Sequence, residues 1–219
     1  MKMSKKETFK RYILFIICLF FIGLGVAFTK YAELGVSPIS SVANVVSIKF
    51  TFLSFGNWLI ISNCVLILGQ ILLLRRNFKP IQFLQIPLSF LFGYFTDFGL
   101  WLVSCLPNDT YVSKLLLVAA GIIVLGFGIT LGVIADVVMN SGEAIVKAIA
   151  DVTKKDFGST KIVFDVSWVL LSVILSFIFF DGKIVGTREG TIMSAIFVGF
   201  TVKFFKKVLQ KPLTEILKK

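Results

Sequence analysis

Long apolar runs separated by short polar connections dominate the chain. A helix crossing the hydrocarbon core needs roughly 20 apolar residues, and six segments meet that length: about 12–29, 57–74, 82–105, 112–134, 161–180 and 190–208. The connections are brief: Arg75 to Pro80, Leu106 to Thr110, and Asp181 to Arg188. Two stretches fit neither a loop nor a span. Residues 37–50 open with Ser37-Pro38, a capping hydroxyl followed by proline at the first helical position. Residues 141–153 follow an equivalent start at Asn140 and Ser141. About fourteen helical residues reach roughly 21 Å, short of a core about 30 Å thick. The pattern predicts two re-entrant or interfacial half-helices, which need protein or water around their ends.

The same pattern occurs twice. Gly23-Leu-Gly-Val-Ala-Phe returns as Gly126-Phe-Gly-Ile-Thr-Leu, Ala32 falls on Ala135, and Ser37-Pro38 falls on Asn140-Ser141. Phe55-Gly56 matches Phe157-Gly158, Asn63 matches Asp165, and Phe92-Gly93 matches Val198-Gly199. The offset moves only between 102 and 106. With three spans in each copy, 12–105 and 112–208, the second copy lies upside down relative to the first. Inverted repeats of this kind place a binding site near the bilayer midplane in many secondary transporters.

Composition and charge sharpen this reading. The chain is 57% hydrophobic and 16% charged, against about a quarter charged in ordinary soluble domains. An all-α integral membrane protein forming one membrane domain over 1–219 is expected. The net charge of +11 sits at the ends of apolar runs, which is a topology signal and argues against a nucleic-acid partner. With the N-terminus inside, eighteen of the 23 Lys and Arg fall on the cytoplasmic side, so both termini are placed in the cytoplasm of a bacterial inner or plasma membrane. The basic N-terminus followed by an apolar run lacks a small-residue cleavage site and reads as a retained first helix. Cys18, Cys64 and Cys105 lie in apolar stretches without metal-like spacing. The absence of His removes Ser-His and Cys-His catalysis. No cofactor, metal or enzymatic activity is expected.

The second copy carries Met139-Asn-Ser-Gly-Glu-Ala-Ile-Val-Lys147, then Phe157-Gly-Ser-Thr-Lys-Ile-Val-Phe-Asp165, then Ile184-Val-Gly-Thr-Arg-Glu-Gly-Thr191, and the first carries Leu34-Gly-Val-Ser-Pro38. These stretches resemble the YczE/YyaS/YitT family of bacterial integral membrane proteins, closest to its YczE-like branch, over about residues 12–206. Where those proteins have Pro-Gly-Glu/Asp, this chain has Ser141-Gly142-Glu143. It also ends soon after the last span, without the soluble C-terminal domain of YitT-like relatives. The resemblance implies a transporter-like membrane fold and names no substrate.

Helix N-termini present unpaired N–H groups and about half a positive charge. Two half-helix starts facing each other would line a polar pocket with Ser37, Ser40, Ser41 and Asn44 on one side. Asn140, Ser141, Gly142, Glu143 and Lys147 would form the other. Plain helix capping is the competing reading. Coupling or gating candidates are Asp97 and Asp136 in or at the ends of spans, Lys161 with Asp165 at i, i+4, and Arg188 with Glu189 before the last span. A charge at membrane depth needs a partner or a function. Lys161 and Asp165 can simply pair, and Glu189 suits a first helical turn. Asp97 shows no local partner in the sequence. The expected function is secondary transport of a small polar or anionic solute by alternating access. The alternative is a non-transporting assembly or stability factor for another membrane protein. Besides the lipid bilayer and a solute, a homo-oligomer or a membrane-protein partner is left open.

Overall fold

A computed structural model of the chain describes residues 4–218. Among them there are eight α-helices: α1 Lys5–Tyr31, α2 Ser41–Lys49, α3 Phe55–Leu74, α4 Gln85–Val103, α5 Tyr111–Ala135, α6 Ser141–Thr153, α7 Phe157–Phe179 and α8 Glu189–Lys218. Five are long and apolar enough to cross a membrane: α1, α3, α4, α5 and α7. The last expected span lies in α8, whose apolar stretch gives way to Lys203, Lys206 and Lys207. Those lysines set it apart from the other five. Two short helices follow α1 and α5, and of the two expected caps only Asn140 makes a side-chain capping bond, Ser37 making none. A 3-10 turn at Pro38–Ser40 leads into α2, and Asn140 caps α6 by accepting from the Ser141 N–H at 2.8 Å.

The centre of the bundle is the pairing of α1 with α5. Gly residues let the two backbones close on one another, as in membrane helix pairs generally. A Cβ on Gly25 would come within 2.6 Å of the Leu125 nitrogen, one on Gly128 within 2.7 Å of the Ile22 nitrogen, and one on Gly132 within 2.7 Å of Cys18 Sγ. As the position rises along α5, its partner falls along α1. The two helices are therefore antiparallel.

Each central helix carries a parallel companion. Gly23 and Gly99 seat α4 on α1, with a Gly23 Cβ meeting the Thr96 nitrogen at 3.0 Å. Gly126 lies against Thr201 and so seats α8 on α5. Thr130 Oγ1, donating to Gly126 O at 2.8 Å, also reaches Val202 O at 3.4 Å. The helix α3 runs back along α4, and Gln70 Nε2 donates to Gln85 Oε1 at 3.1 Å. Around this frame α2 packs on α7 and α6 packs on α3. Lys10 Nζ donates to Ile216 O at 3.1 Å, which brings the end of α8 to the start of α1.

Candidate functional site

The starts of the two short helices meet. Ile39, in the turn before α2, lies so close to Gly142 in the first turn of α6 that any Cβ there would overlap its Cδ1. The polar flanks do not share a pocket. Asn44 of the first flank and Asn140, Glu143 and Lys147 of the second line separate cavities, the one at the end of α1 beside Lys30 and the other along its middle beside Cys18 and Leu19.

The first cavity holds about 520 Å³ and is lined by Cys18 and Leu19 of α1, Asp136 at the end of α5, Asn140, Glu143 and Lys147 of α6, and Lys79 between α3 and α4. Glu143 is half-buried, and its carboxylate makes no hydrogen bond or ion pair among the described residues. Burial pushes that carboxyl above its ordinary value of 4.5; Lys161 at longer range pulls it down and Asp165 pushes it up. Asp136 is exposed in the left-handed region, with φ 49°, where it ends α5. Lys147 is 3.7 Å from Asp151 on the open face of α6.

The second cavity holds about 540 Å³ and is lined by Lys30, Tyr31 and Glu33 at the end of α1, Asn44 and Ile48 of α2, Leu100 of α4, and Ile184, Val185, Gly186 and Arg188 between α7 and α8. Asn44 is buried and fully engaged. Its Oδ1 accepts from Lys30 Nζ at 2.6 Å, and its Nδ2 donates to Gly186 O at 2.5 Å. Gly186 has φ +80°, a conformation open to glycine, and this turns its carbonyl toward Asn44.

The remaining predicted residues are held in local hydrogen bonds and ion pairs, and Ser37 and Ser40 make no side-chain helix cap. Ser37 Oγ donates to Ser40 Oγ at 3.1 Å and Ser41 Oγ donates to Pro38 O at 2.6 Å. Ser141 is buried, 3.2 Å from Ser89 Oγ, and its carbonyl accepts from Gln70 Nε2. Lys161 and Asp165 pair at 2.6 Å, and Arg188 and Glu189 at 3.2 Å. Asp97 has the partner that the sequence does not reveal. Its Oδ2 accepts from Ser54 Oγ at 2.5 Å and its Oδ1 from the Gly56 N–H at 2.7 Å. It thereby closes the positive start of α3, a favourable place for a carboxylate.

Lys30, Lys79 and Cys18 are cavity residues that sequence reasoning passes over. Lys30 and Lys79 read as topology charges, and Cys18 as packing. Only the tertiary arrangement brings them to the cavities, Cys18 buried, Lys30 half-buried and Lys79 exposed at the rim. No group of His, Cys, Asp and Glu side chains suited to a metal ion occurs among the described residues.

Helices of this length and apolarity define a multi-pass helical membrane protein. Residues 9–207 match the profile of a family of unknown function (DUF6198), and the chain belongs to that family. Searches of curated proteins and of solved structures found no match.

Proposed function

We propose that this protein is a secondary transporter that moves a small polar or anionic solute between the two cavities as its halves rock against each other. The observation that carries the reading is the thin Ile39–Gly142 contact between the short-helix starts, with one cavity along the middle of α1 and another at its end. A site reached alternately from two faces needs such a barrier.

Inverted repeats are part of this proposal. Helices in the order long, short, long, long occur twice, and the partners α1 and α5 run antiparallel. The packing also survives exchange of the halves: α4 on α1 corresponds to α8 on α5, and α2 on α7 to α6 on α3. In this reading α8 is the sixth span, its lysines reaching out to the interface, and both termini are cytoplasmic. The stretches around Met139–Lys147 and Phe157–Asp165 support kinship with the YczE-like branch of the YczE/YyaS/YitT proteins. Glu143 is the coupling group we favour, because it lines the first cavity without a hydrogen bond or ion pair among the described residues. Asp97 is occupied in capping α3.

Proteoliposomes holding the purified protein and a panel of labelled organic acids, amino acids and neutral polar solutes test the proposal. Uptake of at least one class is expected, and Gly142→Leu, which thickens the Ile39 contact, should abolish it in a folded protein. Absence of uptake for every class, together with stoichiometric copurification of another membrane protein, would favour the assembly-factor alternative.

A further inference from the structure

We infer that the second cavity is a binding site for a small organic monocarboxylate, with Lys30 as the cation that receives it. The inference deepens the transport reading and rests on it for the purpose of the site.

Lys30 belongs to α1, a candidate span, where a bare ammonium needs compensation. An ammonium has three N–H donors. Two protein oxygens take them up, Asn44 Oδ1 at 2.6 Å and Ser47 Oγ at 3.4 Å, and both are neutral. The Phe55 ring lies 5.1 Å from Nζ. No carboxylate forms an ion pair with Lys30 among the described residues. Glu33 lines the same cavity but is held by Lys114 at 2.7 Å, and Arg188 is matched by Glu189. Of the two cations lining the cavity, Arg188 has an ion pair and Lys30 has none among the described residues, Glu33 acting on it only at longer range. One N–H and one positive charge are thus left for a ligand.

The position of Lys30 is fixed by its neighbours. Gly186 O accepts from Asn44 Nδ2 and so turns Asn44 Oδ1 toward the ammonium. The walls are otherwise largely apolar, with Tyr31, Ile48, Leu100, Ile184 and Val185. A volume of about 540 Å³ suits a small organic molecule. One unfilled cation beside an apolar enclosure matches a single carboxylate on a hydrocarbon body. An inorganic phosphate would find too few donors there.

Calorimetric titration of the full-length protein in nanodiscs tests the site, with acetate, butyrate, hexanoate and benzoate against butanol, butylamine and inorganic phosphate. At least one carboxylate should bind saturably, and the alcohol, amine and phosphate should not. Lys30→Gln should weaken that binding by about ten-fold or more, Lys30→Arg should retain most of it, and Leu100→Trp should block it by filling the enclosure. The inference is overturned if no carboxylate binds, if butanol binds as well as butyrate, or if either Lys30→Gln or Leu100→Trp binds as the wild type does. Should Lys30→Gln fail to fold, Leu100→Trp decides alone. Carboxylate binding without flux of any solute keeps the site and removes the transport reading. Flux by a protein that binds no carboxylate does the reverse.

Discussion

Lys114 Nζ stands 2.7 Å from Glu33 Oε2, joining the first turn of α5 to the residues just past α1. At the other end of the same helix pair, Arg11 donates through Nη1 to Ile134 O at 3.3 Å and Ala135 O at 2.9 Å. Each of these two locks ties the start of one central helix to the end of the other. The Lys114–Glu33 pair is largely open on its acidic side, so it contributes at most about 1 kcal/mol. Glycine-mediated packing between the locks holds the pair of helices together.

That packing predicts a specific cross-link. With Cys64 and Cys105 changed to Ser, Gly132→Cys places a second thiol against Cys18, since a Cβ there would lie 2.7 Å from Cys18 Sγ. Mild oxidation should join the two within one chain, as non-reducing peptide mapping would reveal. Two free thiols after oxidation would contradict the antiparallel register of α1 and α5.

Glu143 should give the protein a pH-dependent stability. Its carboxyl is held above the ordinary value by burial, so the folded state takes up a proton that the unfolded state releases. Stability is then fully present below pH 4.5 and is lost as pH rises through the elevated value. Within that window the slope is about 1.4 kcal/mol per pH unit. Glu143→Gln should flatten this part of the profile in thermal melts recorded against pH. The same variant should lose proton-driven accumulation while keeping solute exchange. A profile identical to that of the wild type would remove Glu143 from the coupling role.

Asp97 should behave as a structural residue. Asp97→Ala removes the acceptor for the Ser54 hydroxyl and the Gly56 N–H and should cost about 1–2 kcal/mol in unfolding experiments. Uptake per folded molecule and its pH dependence should stay as they are. Loss of coupling at undiminished stability would return Asp97 to the mechanism.

The elements that local chemistry dictates are legible along the chain. Apolar length marks α1, α3, α4, α5 and α7, and the Ser37-Pro38 and Asn140-Ser141 starts mark the two short helices within a few residues. The Lys161–Asp165 pair follows from helical spacing alone. What the sequence leaves hidden depends on direction across the bundle. The capping of α3 by Asp97 joins residues 41 apart. The meeting of Ile39 with Gly142 joins residues 103 apart, and local spacing does not reveal it. The inward turn of Lys30 is settled by Asn44 and Gly186, 142 residues apart.

Cysteine accessibility at Glu33 and Asp136, exposed residues lining the second and the first cavity, tests the central claim most directly. In a cysteine-free background, Glu33→Cys should react with a membrane-impermeant maleimide added to intact cells, and Asp136→Cys only after the membrane is opened. Labelling of both from the same side would place the two cavities on one face and end the alternating-access account.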